Sequence, residues 1–144
     1  MERKEFIKTC GFACLGGTLF GAILQGCGSS KIITAEINHS DMVVPLAAFT
    51  DNNSFKKHVV VQNQQLKYPI CVYRFSETEY TALLMRCTHQ GAELQVFGDR
   101  LECPAHGSQF SNKGQVKNGP ADANLRTFPV TVSKDQILIS LKQS

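Results

Sequence analysis

Apolar residues in this chain come in short blocks bounded by turn formers, and beyond residue 31 no block sustains the spacing of an amphipathic helix. The blocks predict strands over 32–37, 58–62, 70–75, 80–86, 93–96, 101–103, 127–132 and 137–141. Breaks fall at Thr50-Asp51-Asn52-Asn53-Ser54, Ser76-Glu77-Thr78, Phe97-Gly98-Asp99 and Ser133-Lys134-Asp135, where residues with turn chemistry cluster. Short strands at this spacing imply an all-β domain, a small antiparallel sandwich or barrel. The unbroken apolar run Ile70-Cys71-Val72-Tyr73 reads as a buried strand. No internal repeat or low-complexity tract interrupts the pattern.

Upstream of the strands the pattern changes. Met1 to Lys8 is charged, whereas Thr9 to Ser30 carries no charge over 22 residues and ends near Leu24-Gln25-Gly26-Cys27. This segment resembles a bacterial lipoprotein signal. The resemblance implies an export signal over 1–26, cleavage before Cys27, and acylation of that sulfur, leaving Gly28-Ser29-Ser30 as a short tether. Arg3-Lys4-Glu5-Phe6-Ile7-Lys8 is similar to a twin-arginine motif with Lys4 in the second arginine position, a route that exports proteins already folded around their cofactors. The alternative is an uncleaved membrane helix, for which 22 residues supply about 33 Å. Six glycines in the stretch make it a poorer permanent anchor. Both readings place the domain over 27–144 in the bacterial cell envelope, tethered on the extracytoplasmic side.

The 144 residues suffice for one packed domain and not for two. A net charge of +3, with no basic run or aromatic-interleaved patch, offers no support for nucleic-acid binding. Six cysteines divide by position. Cys10 and Cys14 lie inside the apolar signal, Cys27 is the lipidation candidate, and Cys71 sits in the buried strand as an inert core thiol. Cys87 and Cys103 remain, and each is followed closely by a histidine.

Those two cysteines open the pairs Cys87-Thr88-His89 and, after thirteen intervening residues, Cys103-Pro104-Ala105-His106. Two thiolates and two imidazoles form a metal-ligand set. Cys2His2 also describes structural zinc, although zinc fingers favour a Cys pair followed by a His pair over two mixed pairs. The order and spacing, with Gly107-Ser108-Gln109-Phe110 after the second pair, Gly114 in the next turn and Gly119-Pro120-Ala121 beyond, resemble the Rieske family over roughly Ile70 to Leu141. The resemblance implies one [2Fe–2S] cluster held by two loops, 87–92 and 103–110, with Cys87 and Cys103 on the inner iron and His89 and His106 on the outer, partly exposed iron. Replacing two thiolates by neutral imidazoles makes such a cluster easier to reduce.

Further roles follow from the same resemblance. Ser108 stands where the family places a hydroxyl that donates to cluster sulfur, raising the potential. Gly91, Gly107 and Gly119 are expected to let backbone approach the cluster, with Pro120 covering it. The chain has Phe110 where members of the bc complexes carry a tyrosine, and Ala92 and Ala105 where they carry a disulfide. These departures imply an intermediate potential within the family range of roughly −150 to +300 mV. The expected role is an electron carrier between a quinol or reductase and a cytochrome or oxidoreductase partner, or the Rieske subunit of an extracytoplasmic oxidoreductase. A terminal ring-hydroxylating oxygenase is not the expected reading, since little chain follows the motif to form a mononuclear iron domain. No nucleophile–base pair, phosphate loop or paired-carboxylate pattern supports independent catalysis.

Overall fold

A computed structural model describes residues 31–143 and is almost entirely β. The signal over 1–26 and Cys10, Cys14 and Cys27 lie outside the described residues. A central five-stranded sheet has the order β1 (Ile32–Thr34), β6 (His58–Gln62), β7 (Ile70–Arg74), β8 (Tyr80–Leu84) and β13 (Thr127–Phe128). Only the β1–β6 pair in it is parallel. A second sheet orders β14 (Val130–Ser133), β15 (Gln136–Ser140), β3 (Asp41–Pro45) and β2 (Glu36–Asn38), all antiparallel. The third sheet is an antiparallel meander of β9 (Gln95–Phe97), β10 (Arg100–Glu102), β11 (Gln109–Ser111) and β12 (Val116–Asn118). A small hairpin, β4 (Thr50–Asp51) with β5 (Ser54–Phe55), completes the set.

Strand periodicity explains why the central sheet joins two cores. Successive side chains point to opposite faces. Val59, Val61, Ile70, Val72 and Ala82 therefore meet Met42, Val44, Ile137 and Ile139 of the second sheet. Their neighbours Val60, Cys71, Tyr73 and Leu83 face the other way, onto Leu94, Leu101 and Phe110 of the meander and onto Cys87 and Cys103. A strand buried on both faces loses the polar alternation of a half-exposed one, which is why Ile70-Cys71-Val72-Tyr73 is continuously apolar. The sandwich thus forms a rigid base, and the meander mounts the two cysteines on it.

Several elements differ from the expectation. The turn-rich stretch at Thr50–Ser54 is the tip of the β4–β5 hairpin, with Asn52 and Asn53 at φ +42° and +67°, as a primed turn requires. One 3₁₀ turn, Leu46–Phe49, also forms and seals the first core with Phe49. The short polar strands β11 and β12 carry too few apolar positions to signal themselves and depend on their sheet neighbours. β3 also lies outside the expected strands, although its Met42-Val43-Val44 run is apolar and buries Met42 and Val44 in the first core.

Gly114 ties the meander to the central sheet. Its φ is +83°, and a Cβ there would lie 2.8 Å from Leu83 Cδ2 and 3.5 Å from Leu125 Cβ. Strain and overpacking therefore coincide at one position. Gly114→Ala is expected to lower unfolding free energy by about 2–4 kcal/mol, measured by denaturant titration. A loss below about 1 kcal/mol would show that the turn relaxes without cost.

Candidate metal centre

The two cysteine loops are built alike. Arg86 pairs with Glu93 across an antiparallel bridge, and Glu102 pairs with Gln109 in the β10–β11 ladder. Each pair closes a six-residue hairpin loop, 87–92 and 103–108. Inside the first loop the Cys87 N–H donates to the Ala92 carbonyl at 2.8 Å, and the Gly91 N–H donates to the Cys87 carbonyl at 2.9 Å. The second loop repeats this pattern: the Cys103 N–H donates to the Ser108 carbonyl at 2.8 Å, and the Gly107 N–H to the Cys103 carbonyl at 2.9 Å. Gly91 and Gly107 take the same left-handed φ, +78° and +79°. The shared spacing is cysteine, three residues, glycine. It is the local repeat that a search for longer internal similarity passes over.

This architecture separates the four donors by depth. Cys87 and Cys103 are 1% and 2% exposed at the floor, within the second core. His89 and His106 are exposed at the rim, their rings edge to face with centroids 5.0 Å apart. The donors divide into a buried sulfur pair and an exposed imidazole pair, a division that suits two metal atoms better than one tetrahedral ion. Desolvation pushes the Cys103 thiol up, but the backbone N–H groups of His106 and Ala105 and the Cys87 side chain outweigh it and hold it below its ordinary value. A thiol held toward its thiolate form is the state that metals bind.

One segment, 118–125, fastens both loops. The Thr88 hydroxyl donates to the Ala123 carbonyl at 2.6 Å, 35 residues away. Ser108, fully buried, accepts the Ala121 N–H through Oγ at 3.0 Å, which leaves its own O–H free to donate elsewhere. The Tyr68 hydroxyl adds a bond to the Gly91 carbonyl at 2.8 Å. These contacts hold the loops together where Ala92 and Ala105 preclude a bridge, and among the described residues every cysteine is a free thiol. Thr88 and Tyr68 were not legible as site residues, because their partners lie far along the chain or are backbone atoms.

The remaining positions are placed plainly. Pro120 is exposed on the fastening segment beside Ala121. Gly119 takes a φ outside the left-handed region, and among protein atoms a Cβ there would meet Ala121 backbone at 3.8 Å and 3.9 Å. His39 occupies the β2–β3 turn at φ +58°, its ring bonded to Asn38, and His58 lies within the β6 strand against Tyr73. Cys71 is fully buried, and desolvation pushes its thiol up to about 12, partly offset by Tyr73. Iodoacetamide at pH 8 is expected to leave Cys71 unmodified in the folded protein and to label it on unfolding, as peptide mass spectrometry would read. Labelling of the native chain there would contradict the buried placement.

A model of the Rieske [2Fe–2S] domain family matches residues 45–129, more than half of the chain. The chain belongs to the Rieske [2Fe–2S] domain family. Its cofactor is accordingly a [2Fe–2S] cluster, and the match begins well before Ile70, taking in the base as well as the loops. The cytochrome b6-f complex iron-sulfur subunit of Trichodesmium erythraeum is 27% identical over 154 residues, covering 97% of this chain and 84% of that protein. The plasma membrane Rieske protein PetC3 of Synechocystis superposes with a TM-score of 0.52 at 27% identity, over 59% of this chain and 87% of that one. A ferredoxin of carbazole 1,9a-dioxygenase from Nocardioides aromaticivorans, 20% identical with a TM-score of 0.51 over 69% of this chain and 95% of its own, shares the fold.

Proposed function

We propose that this Rieske protein is a membrane-tethered carrier of single electrons, taking them from a quinol or a reductase and passing them to a cytochrome or oxidoreductase partner. Cys87 and Cys103 would hold the inner iron and His89 and His106 the outer one. The observation that carries this reading is the depth ordering of the donors: sulfur ligands buried, imidazoles exposed and adjacent. When bound, the cluster supplies one-electron redox chemistry through its irons. The buried thiols keep water from the inner side. The two imidazole edges present the short path between the site and a docked partner. Ser108 holds the fastening segment through Ala121 while its O–H is available to cluster sulfur, and Gly91 and Gly107 shape the two loops.

Tethering rests on the apolar segment before residue 31 and on Cys27 as acyl acceptor, placing the domain in the bacterial cell envelope on the extracytoplasmic side. No helix among the described residues is long and apolar enough to cross a membrane. A second reading, a Rieske subunit of a multi-subunit oxidoreductase, is favoured by the near full-length similarity to cytochrome b6-f subunits. The loops argue for the carrier, since fastening by hydrogen bonds replaces the bridge of the bc-complex members. Iron and acid-labile sulfide in equal amounts, with a reduced-state paramagnetic resonance spectrum of mixed N/S ligation, would support the site. A colourless protein binding one zinc would overturn it. Purification from membranes discriminates the two readings: a carrier comes alone, a subunit with its complex.

A further inference from the structure

Two arginines share a groove with the exposed imidazole of His89. A groove beside the first loop is lined by Arg86, Thr88, His89, Gln90 and Arg126, and no carboxylate lines it. Neither arginine is neutralised. Among the described residues the ion pairs join Lys56 to Asp51, Arg100 to Glu102 and Lys113 to Glu79, and none engages Arg86 or Arg126. Glu93, opposite Arg86 in the bridge, pairs with it through backbone alone. Each guanidinium rests instead near an aromatic ring, Arg86 at 5.8 Å from the Tyr68 centroid and Arg126 at 4.6 Å from that of Phe128. Lys67 Nζ lies 5.6 Å from the centroid of the same Tyr68 ring and adds a third cation nearby. Ring contacts position these groups without cancelling their charge.

We propose that this Arg86–Arg126 groove is the docking edge for an acidic redox protein, whose carboxylates would face the two guanidiniums and bring its own redox centre to His89. The inference rests on the electron-carrier reading above and adds the sign of the partner and the side from which it approaches. Other basic positions are less suited. Arg100 and Lys113, which line a second groove on the meander with Lys117, are already paired with Glu102 and Glu79, and a carboxylate, Asp99, lines that groove as well. Two unpaired cations at the rim of a redox site accelerate encounter with an oppositely charged surface more than they tighten the final complex.

The test is stopped-flow oxidation of the reduced, cluster-loaded full chain in detergent by two proteins, an acidic blue copper protein and a basic c-type cytochrome, across ionic strength. The acidic oxidant is expected to react faster at low salt and to lose that advantage as salt rises. Arg86→Gln with Arg126→Gln is expected to slow it about tenfold at low salt. Arg86→Lys with Arg126→Lys should retain the rate, and Lys134→Gln with Lys142→Gln, which removes the same charge from the far sheet, should change it by less than about twofold. An unchanged rate in the glutamine pair, or an equal loss in the lysine pair, overturns the proposal. Hexacyanoferrate(III) and tris(phenanthroline)cobalt(III) supply a further arm: slowing of the anion alone, with the acidic protein unaffected, shows that the partner docks elsewhere and also overturns it. Failure to transfer electrons to any oxidant would instead count against the carrier reading itself.

Discussion

Cys103→Ser is expected to yield a folded but colourless protein whose iron and acid-labile sulfide fall from about two each per chain to near zero. The sulfur it removes sits at the floor of the second loop, 2% exposed and supported by the N–H groups of Ala105 and His106. Serine in its place offers a hydroxyl that remains protonated at neutral pH and is a poor ligand for iron. Cys87→Ser should behave alike, since the two loops share one hydrogen-bond plan. Cys71→Ala provides the contrast: its thiol lies in the same core but is held protonated by burial, and its loss should leave metal and sulfide unchanged. Elemental analysis of anaerobically purified variants reads all three. Full cluster content in Cys103→Ser would remove the assignment of ligands.

Ser108→Ala should produce the second large effect, in two observables at once. The buried oxygen accepts the Ala121 N–H, so its removal leaves that donor unsatisfied at a cost of about 1–3 kcal/mol in stability. The hydroxyl proton has no protein acceptor among the described residues and, in the proposed site, would donate to a cluster sulfur whose negative charge grows on reduction. Preferential stabilisation of the reduced state by about 1–2 kcal/mol corresponds to about 40–90 mV for one electron, so the variant's potential should fall by that amount. Denaturant titration and protein-film voltammetry separate the two. Lower stability with an unaltered potential would mean that Ser108 only props the fastening segment.

The two variants act on different parts of one construction. In the proposed site Cys103 would belong to the ligand cage itself, whereas Ser108 links the second loop to the segment that also receives Thr88 from the first. That segment explains how loops lacking a disulfide stay in register. Three bonds, from Thr88, Tyr68 and the Ala121 N–H, join chain positions that share no local pattern.

What the amino-acid sequence determined by itself is what short range encodes. Two mixed Cys/His pairs are recognisable because ligands within one loop must follow each other by two or three residues to reach one site. The strands His58–Gln62 and Ile70–Arg74 are recognisable because their faces are buried in hydrophobic cores, so apolar residues dominate them. Gln109–Ser111 and Val116–Asn118 escaped because strands of few apolar residues are stabilised by pairing with neighbours remote in sequence. Only the tertiary structure decided that the two loops are copies of one hairpin and that 118–125 fastens both. It alone placed Arg86 and Arg126 unpaired beside His89. The physical reason is the same in each case. A hydrogen bond from Thr88 to Ala123, or a field summed from two arginines forty residues apart, is set by how sheets stack, and nothing local in the chain prescribes it.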